Sequence, residues 1–441
     1  MTPALAAGGA KLASPGVAAA LPAANAGGGG GGGGGGSDAP LTGEILVKLR
    51  TTEALPDLLR RYPLTLLDRF GARPIYRLKV IGNFRVASDV LGALAFFEPN
   101  VLIAEPNYRH STPEARSNMP WTIGDPSQYA AQWAPQTMHL AEAQALSTGA
   151  GVRVAVLDTG FDLTHPLLVG HWLPGFDFVD FDTDPSEVAP SSSPGYGHGT
   201  HVAGLVALVA PGARIMPIRV LDTNGVGNAW VLGEALLYAL DPDGNPHTDD
   251  GAHIISLSLG SLARTRLIAA LAHLAACGDS VDGDPIADHS DPGYNDDAIR
   301  CSRRKGALVV AAAGNDSSVS AKEYPAAESA YGLLPMGASN SSNKLAKFSN
   351  SGSWINLAAP GEGITSSMPG GAYGTWNGTS MAAPLAAGTA ALVQSLNPSM
   401  TPQDLATRIS RTSATLCGTN VRRVDALGAV TNTVPAPPVC P

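Results

Sequence analysis

Residues 152–160 read VRVAVLDTG, a short, mainly apolar run that ends in an aspartate and a glycine. Four more runs of this kind follow, at residues 215–221, 254–259, 308–311 and 334–337. Apolar residues at helical spacing occupy stretches between them, at residues 202–209, 230–240 and 262–276. Strands that are apolar on both faces and alternate with helices are typical of a parallel sheet covered on both sides. We therefore predict an α/β fold with a doubly wound, mainly parallel sheet flanked by helices.

Polar side chains lie at the ends of two of these strands and at the start of one helix. Ligands of such a sheet bind at the carboxyl ends of the strands, so the residues there are candidate functional residues. Asp158 ends the first run, and Asn315 comes soon after the fourth. His198 stands between two glycines at the start of a helix. Each residue alone also has an ordinary explanation, as a turn aspartate, a loop asparagine or a surface histidine.

Ser380 stands at the start of an apolar helical stretch, within the sequence GTSMAAP at residues 378–384. A serine there is often only a helix cap. The helix start also fixes the hydroxyl and directs free N–H groups at any negative charge beside it. Asp158, His198 and Ser380 together supply an acid, a base and a nucleophile. Asn315 and the Ser380 N–H group are the expected donors to an oxyanion.

His198 and His201 are three residues apart, which is also a spacing for two zinc ligands on one helix face. The sequence shows no His-Glu-x-x-His motif beside them. A zinc hydrolase therefore stays an alternative at this point, as does an esterase with the same three catalytic residues.

Net charge is spread unevenly over the 441 residues, which carry −9 in total. Residues 43–118 contain 11 Lys and Arg against 8 Asp and Glu, whereas residues 119–441 have a net charge of −12. An acidic main body argues against a nucleic-acid partner, and the opposite charges favour docking of the two parts. No apolar run approaches the length that spans a membrane.

The chain divides into four regions. Residues 1–42 are a low-complexity leader with a glycine run at 27–36, and they read either as a linker or as an atypical secretory signal. Residues 43–110 predict a small ferredoxin-like α+β unit, with strands at 44–49, 75–80 and 101–104 and helices at 55–70 and 86–97. Residues 111–120 are a polar linker and the expected cleavage region, and residues 121–441 form the main domain.

Four cysteines and one acidic loop are candidate stabilising sites. The sequence has no C-x-x-C spacing, and two disulfides are compatible with its four cysteines. We expect Cys277–Cys301 and Cys417–Cys440, because each closes a short loop, with reduced buried cysteines as the alternative. Four aspartates in residues 177–184 offer oxygen ligands at a spacing that suits calcium, although a merely acidic loop fits as well. They are Asp177, Asp180, Asp182 and Asp184.

The order of the motifs resembles that of the subtilisin family of serine endopeptidases. The motifs are DTG at 158–160, HGTHVAG at 198–204, AGN at 313–315 and GTSMAAP at 378–384. The similarity runs from about Gln132 to Ala426. It implies hydrolysis of peptide bonds in proteins or peptides through an acyl-enzyme, with the roles given above and no cofactor for catalysis. A catalytically inactive relative that only binds proteins is the alternative.

The same resemblance extends to the remaining regions. Residues 43–110 are similar to the family's propeptide, which implies a self-processing zymogen whose own N-terminal unit inhibits it and assists its folding. A monomer that is secreted or periplasmic is expected. The acidic loop resembles a calcium loop of some relatives.

Substrate-binding residues are also implied by the resemblance. Ser258, Leu259 and Gly260 would form the edge strand that pairs with substrate. Ala312, Ala313 and Gly314 would line the pocket for the residue before the cleaved bond, and Glu323 would lie at its floor. An acidic floor favours Lys or Arg, whereas the alternative is a solvated loop glutamate.

Overall fold

The computed structural model describes residues 38–277, 306–328, 331–437 and 440. Nearly all of the predicted leader at residues 1–42 therefore lies outside the described residues. Cys301 and the insert that precedes it also lie outside them.

The N-terminal module is a four-stranded antiparallel sheet with two helices. In chain order it contains β1 (Pro40–Leu49), α1 (Leu55–Arg61), β2 (Leu64–Arg69), β3 (Ile75–Val80), α2 (Phe84–Phe97) and β4 (Val101–Ser111). The strands are ordered β2-β3-β1-β4, the arrangement of a ferredoxin-like fold. Ile45 and Val47 of β1 pack with Leu58 and Leu94 of the helices, whereas Leu46 packs against the main domain. Alternate residues of one strand thus serve two different cores.

The predicted helix at residues 55–70 is wrong in its second half. The helix ends at Arg61, and Tyr62 adopts an extended conformation. Because Tyr62 precedes Pro63, the helical region of its backbone is disfavoured. Residues 64–69 instead form β2, which pairs with β3.

The main domain is built on a nine-stranded sheet. The strands are β6 (Arg153–Asp158), β7 (Phe176–Asp177), β8 (Arg214–Arg219), β10 (Ile254–Leu257), β11 (Leu308–Ala312), β12 (Leu333–Ser339), β13 (Leu357–Pro360), β16 (Ala414–Thr415) and β17 (Arg422–Arg423). Their order is β16-β17-β13-β12-β11-β10-β6-β8-β7. All neighbouring strands are parallel except β16 and β17.

Helices cover both faces of this sheet. The long helices are α7 (His198–Val209), α8 (Ala229–Leu240), α9 (Arg266–Ala276), α10 (Thr379–Leu396) and α11 (Pro402–Arg411). Val154 and Val156 of β6 pack in the core of α7 and α10, whereas Ala155 and Leu157 pack in the core of α8 and α9. Each fully buried Val or Leu side chain contributes about 1.5–3 kcal/mol to folding. The two-sided burial explains why β6 is apolar without alternation and confirms the predicted fold class.

The remaining elements are short. They are β5 (Thr122–Ile123), β9 (Val226–Asn228), β14 (Ile364–Met368), β15 (Ala372–Trp376), α3 (Pro113–Arg116), α4 (Gln128–Ala131), α5 (Trp133–Thr137), α6 (Leu140–Gln144) and α12 (Ala426–Thr431). Strands β14, β15 and β5 make a small separate sheet.

The N-terminal module contacts the main domain along β4, α8 and α9. Residues 109–111 of β4 pair antiparallel with β9. The Glu105 carboxylate accepts hydrogen bonds from the N–H groups of Arg266 and Leu267 at the start of α9. Asn107 Oδ1 accepts one from the Trp230 N–H group at the start of α8. The module thereby caps two helices of the main domain.

Two further predictions concern the membrane and the disulfides. Within the described residues, none of the helices has the length and apolar character needed to cross a membrane. Cys417 is bonded to Cys440. Cys277 is disulfide-bonded too, and its predicted partner Cys301 lies outside the described residues.

Candidate active site

The elements of the main sheet bring the predicted catalytic residues to one edge. Asp158 is the last residue of β6, and Asn315 follows β11. His198 is the first residue of α7, and Ser380 is the second residue of α10. All four side chains are buried. The parallel register of the neighbouring strands explains why residues so far apart in sequence meet here.

Asp158 and His198 form the first contact of the site. Asp158 Oδ1 lies 2.7 Å from His198 Nδ1 and also accepts a hydrogen bond from the Thr159 N–H group. Trp376 lies edge-on to the imidazole, with ring centroids 5.2 Å apart. Burial by itself would lower the pKa of His198, but the carboxylates of Asp158 and Glu114 outweigh it and raise that pKa to about 10. The imidazole is therefore held in its charged form.

His201 does not share a ligand with His198. His201 Nε2 lies 3.2 Å from the carbonyl oxygens of both Ile364 and Gly374. A nitrogen that donates to backbone carbonyls cannot also ligate a metal. Burial lowers the pKa of His201 to about 3, which keeps it neutral. Among the described residues, neither histidine belongs to a group of three or more possible metal ligands, so the structure does not support the zinc alternative.

Asn315 is oriented by the residue that precedes Ser380. Its Oδ1 atom accepts hydrogen bonds from both the N–H group and the hydroxyl of Thr379, each at 2.9 Å. These two contacts identify the opposite atom, Nδ2, as the donor that faces the cleft. An amide fixed in this way is suited to donate to a developing oxyanion.

A carboxylate from the N-terminal part of the chain occupies the point where these groups converge. Glu114 Oε2 accepts a hydrogen bond of 2.5 Å from the Ser380 hydroxyl and lies 3.2 Å from His198 Nε2. Glu114 Oε1 accepts one of 2.7 Å from Asn315 Nδ2. Burial opposes ionisation of Glu114, but these three donors lower its pKa. A charged carboxylate thus lies between the predicted nucleophile, the predicted base and the predicted oxyanion donor.

Glycine at position 378 is required by this arrangement. A Cβ atom at Gly378 would lie 1.7 Å from Glu114 Oε1. A larger residue would displace the carboxylate, so the glycine beside Thr379 keeps the oxyanion position open.

The sequence did not reveal Glu114, because residues 111–120 were predicted to be only a linker and cleavage region. The structure shows instead that residues 112–118 lie in the cleft, partly as the short helix α3. Thr112 followed by Pro113 is a helix-start signal. That signal predicts a turn but gives no information on what the turn contacts.

Some of the predicted substrate-binding residues contact groups in the same cleft. Ser111 exchanges two backbone hydrogen bonds with Gly260, at 2.8 and 3.0 Å. Ser258 Oγ donates to the Ser380 carbonyl oxygen. The side chain of Leu259 packs in the core with α8 and α9, so this residue offers only its backbone to the cleft. Ala312 and Ala313 are fully buried.

Glu323 is buried, so the alternative of a solvated loop residue is wrong. The Arg116 side chain, from α3, donates to both of its carboxylate oxygens. Burial raises the pKa of Glu323 to about 7, although Arg116 opposes this. Asp316 Oδ2 lies 3.6 Å from the same guanidinium group.

The four aspartates of the predicted calcium loop do not gather around one point. Asp177 and Asp180 both contact the Arg219 guanidinium, at 2.6 and 2.5 Å. Asp182 and Asp184 instead accept hydrogen bonds from their own loop. Arg219 therefore supplies the positive charge that was expected of calcium, and the arrangement does not support that site. Among the described residues, the group of three carboxylates whose oxygens lie within 4.8 Å of one another is Asp241, Asp243 and Asp250.

Comparisons with known proteins agree with this geometry. A model described as the subtilase family matches residues 149–430. A thermophilic serine proteinase of Bacillus sp. (strain AK1) is 32% identical over 372 residues, which are 81% of this chain and 79% of the relative. Thermitase of Thermoactinomyces vulgaris is 32% identical over 324 residues, or 70% of this chain and 99% of the relative.

A solved structure supports the fold. Fervidolysin from Fervidobacterium pennivorans, described as a keratinolytic enzyme related to subtilisin, matches with a TM-score of 0.67 at 21% identity. The match covers 91% of this chain and 62% of fervidolysin, so this chain spans less than two thirds of that protein.

We expect Arg219→Met to destabilise the main domain by about 3–5 kcal/mol, because it leaves the Asp177 carboxylate buried without its partner. Asp177 and Arg219 are only 1% and 3% exposed. Urea unfolding in a Ser380→Ala background measures the change without self-digestion. Asp180→Asn is the control, and it should change stability by less than about 1 kcal/mol because Asp180 is exposed. Equal effects of the two variants would contradict the prediction.

Proposed function

Because this chain belongs to the subtilase family and is a serine endopeptidase, we propose that Asp158, His198 and Ser380 are its catalytic triad and that Asn315 is its oxyanion donor. The position of Glu114 carries this proposal. Its carboxylate is bound at once by Ser380, His198 and Asn315. The planar carboxylate in that place resembles the carbonyl group of a substrate, and its negative charge resembles the oxyanion that forms when the carbonyl is attacked.

The proposed reaction follows from these contacts. With a peptide in the cleft, His198 Nε2 takes the Ser380 proton as the hydroxyl oxygen attacks the carbonyl carbon. Asp158 holds the imidazole through Nδ1 and stabilises its positive charge. Asn315 Nδ2 and the Ser380 N–H group bind the oxyanion, and a donor of this kind contributes about 10²- to 10³-fold to the rate. His198 then protonates the leaving amine, and water hydrolyses the acyl-enzyme. No cofactor takes part.

The N-terminal unit, residues 43–110, is proposed to be an inhibitory propeptide and folding aid. Its pairing with β9 and its caps on α8 and α9 support this role. Its net positive charge also complements the acidic main domain. Residues 111–120 are proposed to contain the maturation site.

Glu114 gives the proposed zymogen an electrostatic lock. Its carboxylate accepts from the nucleophile and stabilises the protonated imidazole, and a protonated imidazole cannot act as a base. The chain is therefore proposed to be made in an inhibited form. Secretion to the extracellular or periplasmic space is part of this proposal, and the Cys417–Cys440 bond supports an oxidising compartment. A monomer is proposed because the site is complete within one chain.

Expression of the wild type and the Ser380→Ala variant tests the proposed function. We expect the wild type to release an N-terminal fragment of about 12 kDa, as 110 to 120 residues imply. The variant should stay whole because it lacks the nucleophile. Gel electrophoresis and mass spectrometry in a protease-free host measure the release. Equal processing of both chains would show that Ser380 does not perform the cleavage.

Removal of the lock should speed activation. We expect Glu114→Gln to release the fragment about ten times faster or more, because charge-assisted hydrogen bonds are worth about 1.5–3 kcal/mol each. Quenched time courses at one pH give the rate. Glu53→Gln serves as the control, because Glu53 is a solvent-exposed carboxylate of the N-terminal module. An unchanged or slower rate in Glu114→Gln would contradict the lock.

The lock also predicts a pH dependence. Because the pKa of His198 is raised to about 10, protonated His198 stabilises the inhibited state fully below pH 6.5. This stabilisation is lost as the pH rises through about 10. The pKa of Glu114 is lowered, so its ionised carboxylate stabilises the inhibited state fully above pH 4.5. This stabilisation is lost as the pH falls further. Self-processing of the wild type should therefore accelerate between pH 6.5 and 10.

Histidine-labelled Ser380→Ala protein permits a direct measurement by NMR titration. We expect the pKa of His198 to fall by at least about one unit when Glu114→Gln is added. The same pKa with and without Glu114 would contradict the proposed pH dependence.

A further inference from the structure

Glu323 lies between the two segments predicted to line the substrate pocket, with Gly260 on one side and Gly314 on the other. Ser261 and Tyr324 exchange backbone hydrogen bonds of 3.0 and 2.8 Å, which hold Glu323 against Gly260. A Cβ atom at Gly260 would lie 2.4 Å from Glu323 Oε1, and one at Gly314 would lie 3.0 Å from Oε2. The carboxylate thus fills space that two glycines leave open.

This carboxylate requires a cation. Glu323 is 0% exposed, and a buried carboxylate is strongly destabilising unless a charged partner with good geometry meets it. Arg116 is that partner, with one guanidinium nitrogen on each carboxylate oxygen. Its charge also attracts Asp316 and Asp38, at 3.6 and 3.5 Å. Two-point contacts of this kind are specific to the planar guanidinium group.

Arg116 enters the pocket as part of a peptide that already occupies the cleft. Two residues before it, Glu114 contacts Ser380, and one residue after it, Ser117 Oγ contacts the Asn315 carbonyl oxygen at 3.3 Å. When this segment leaves, Arg116 and Asp38 leave with it, whereas Glu323 and Asp316 stay. The pocket then holds a carboxylate whose cation has gone.

We propose that Glu323 makes this protease select substrates with arginine immediately before the cleaved bond. The inference rests on the proposed function, because it assigns the specificity of the same site. An arginine side chain restores the two-point contact that Arg116 makes. Lysine brings the charge without the fork, so it ranks second. Phenylalanine or leucine leaves the carboxylate buried without a partner, so these residues rank last.

Tetrapeptide p-nitroanilides that differ only in a final Arg, Lys, Leu or Phe test this selectivity. The full chain is expressed, allowed to mature, and assayed at about pH 9, where carboxylates are ordinarily ionised. A fluorophosphonate that labels the active serine gives the concentration of active enzyme. We expect kcat/KM for Arg to exceed that for Phe by about 10- to 100-fold. Glu323→Gln should lower kcat/KM for Arg by a similar factor and leave that for Phe unchanged or higher.

Matched variants complete the design. Glu328→Gln alters a carboxylate in the same loop that pairs with Arg264 instead, and we expect it to keep the preference for Arg. If Glu323→Gln fails to mature, the comparison of the four substrates with wild-type protein alone tests the selectivity. Labelled wild type that cleaves Phe or Leu substrates as fast as Arg substrates overturns the selectivity and leaves the proposed function intact. Wild type that neither labels nor cleaves any substrate overturns the proposed function itself.

Discussion

Buried charge is stable only beside a charge of opposite sign, and the cleft of this protein is arranged around that constraint. His198 lies between two carboxylates, Asp158 and Glu114. Arg116 meets Glu323 a few residues further along the same segment. The segment that fills the cleft therefore carries one anion for the proposed catalytic groups and one cation for the proposed specificity pocket. Both ion pairs form or break together, because Glu114 and Arg116 are on the same turn of helix.

Much of the main domain could be predicted from the sequence because its strands are buried on both faces. Such strands are recognisable as short apolar runs, and the parallel sheet fixes where their polar ends meet. Asp158 and Asn315 were predicted in this way, whereas His198 and Ser380 were predicted from motifs at the starts of two helices. The prediction of a helix over residues 55–70 was wrong because the helical spacing of apolar residues continues past Pro63. The proline restricts the backbone of Tyr62 to an extended conformation, so the helix ends before it.

Other features depend on contacts that a sequence pattern does not contain. The acidic loop at residues 177–184 has the composition of a cation site, but nothing in that loop indicates that its cation is Arg219, at the end of β8. Glu114 and Arg116 looked like ordinary linker charges for the same reason. Their partners are contributed by four distant parts of the main domain, and only the folded chain brings them together.

The covalent continuity of β4 with the segment in the cleft has a further consequence. While the two parts are one chain, the proposed inhibitory segment would compete with substrate as an intramolecular ligand, at an effective concentration in the millimolar range typical of short tethers. A single cut turns this competition into a bimolecular equilibrium. The onset of proteolysis would then depend on dilution. The protein would remain inhibited where its concentration is high and would become active where the fragment is diluted.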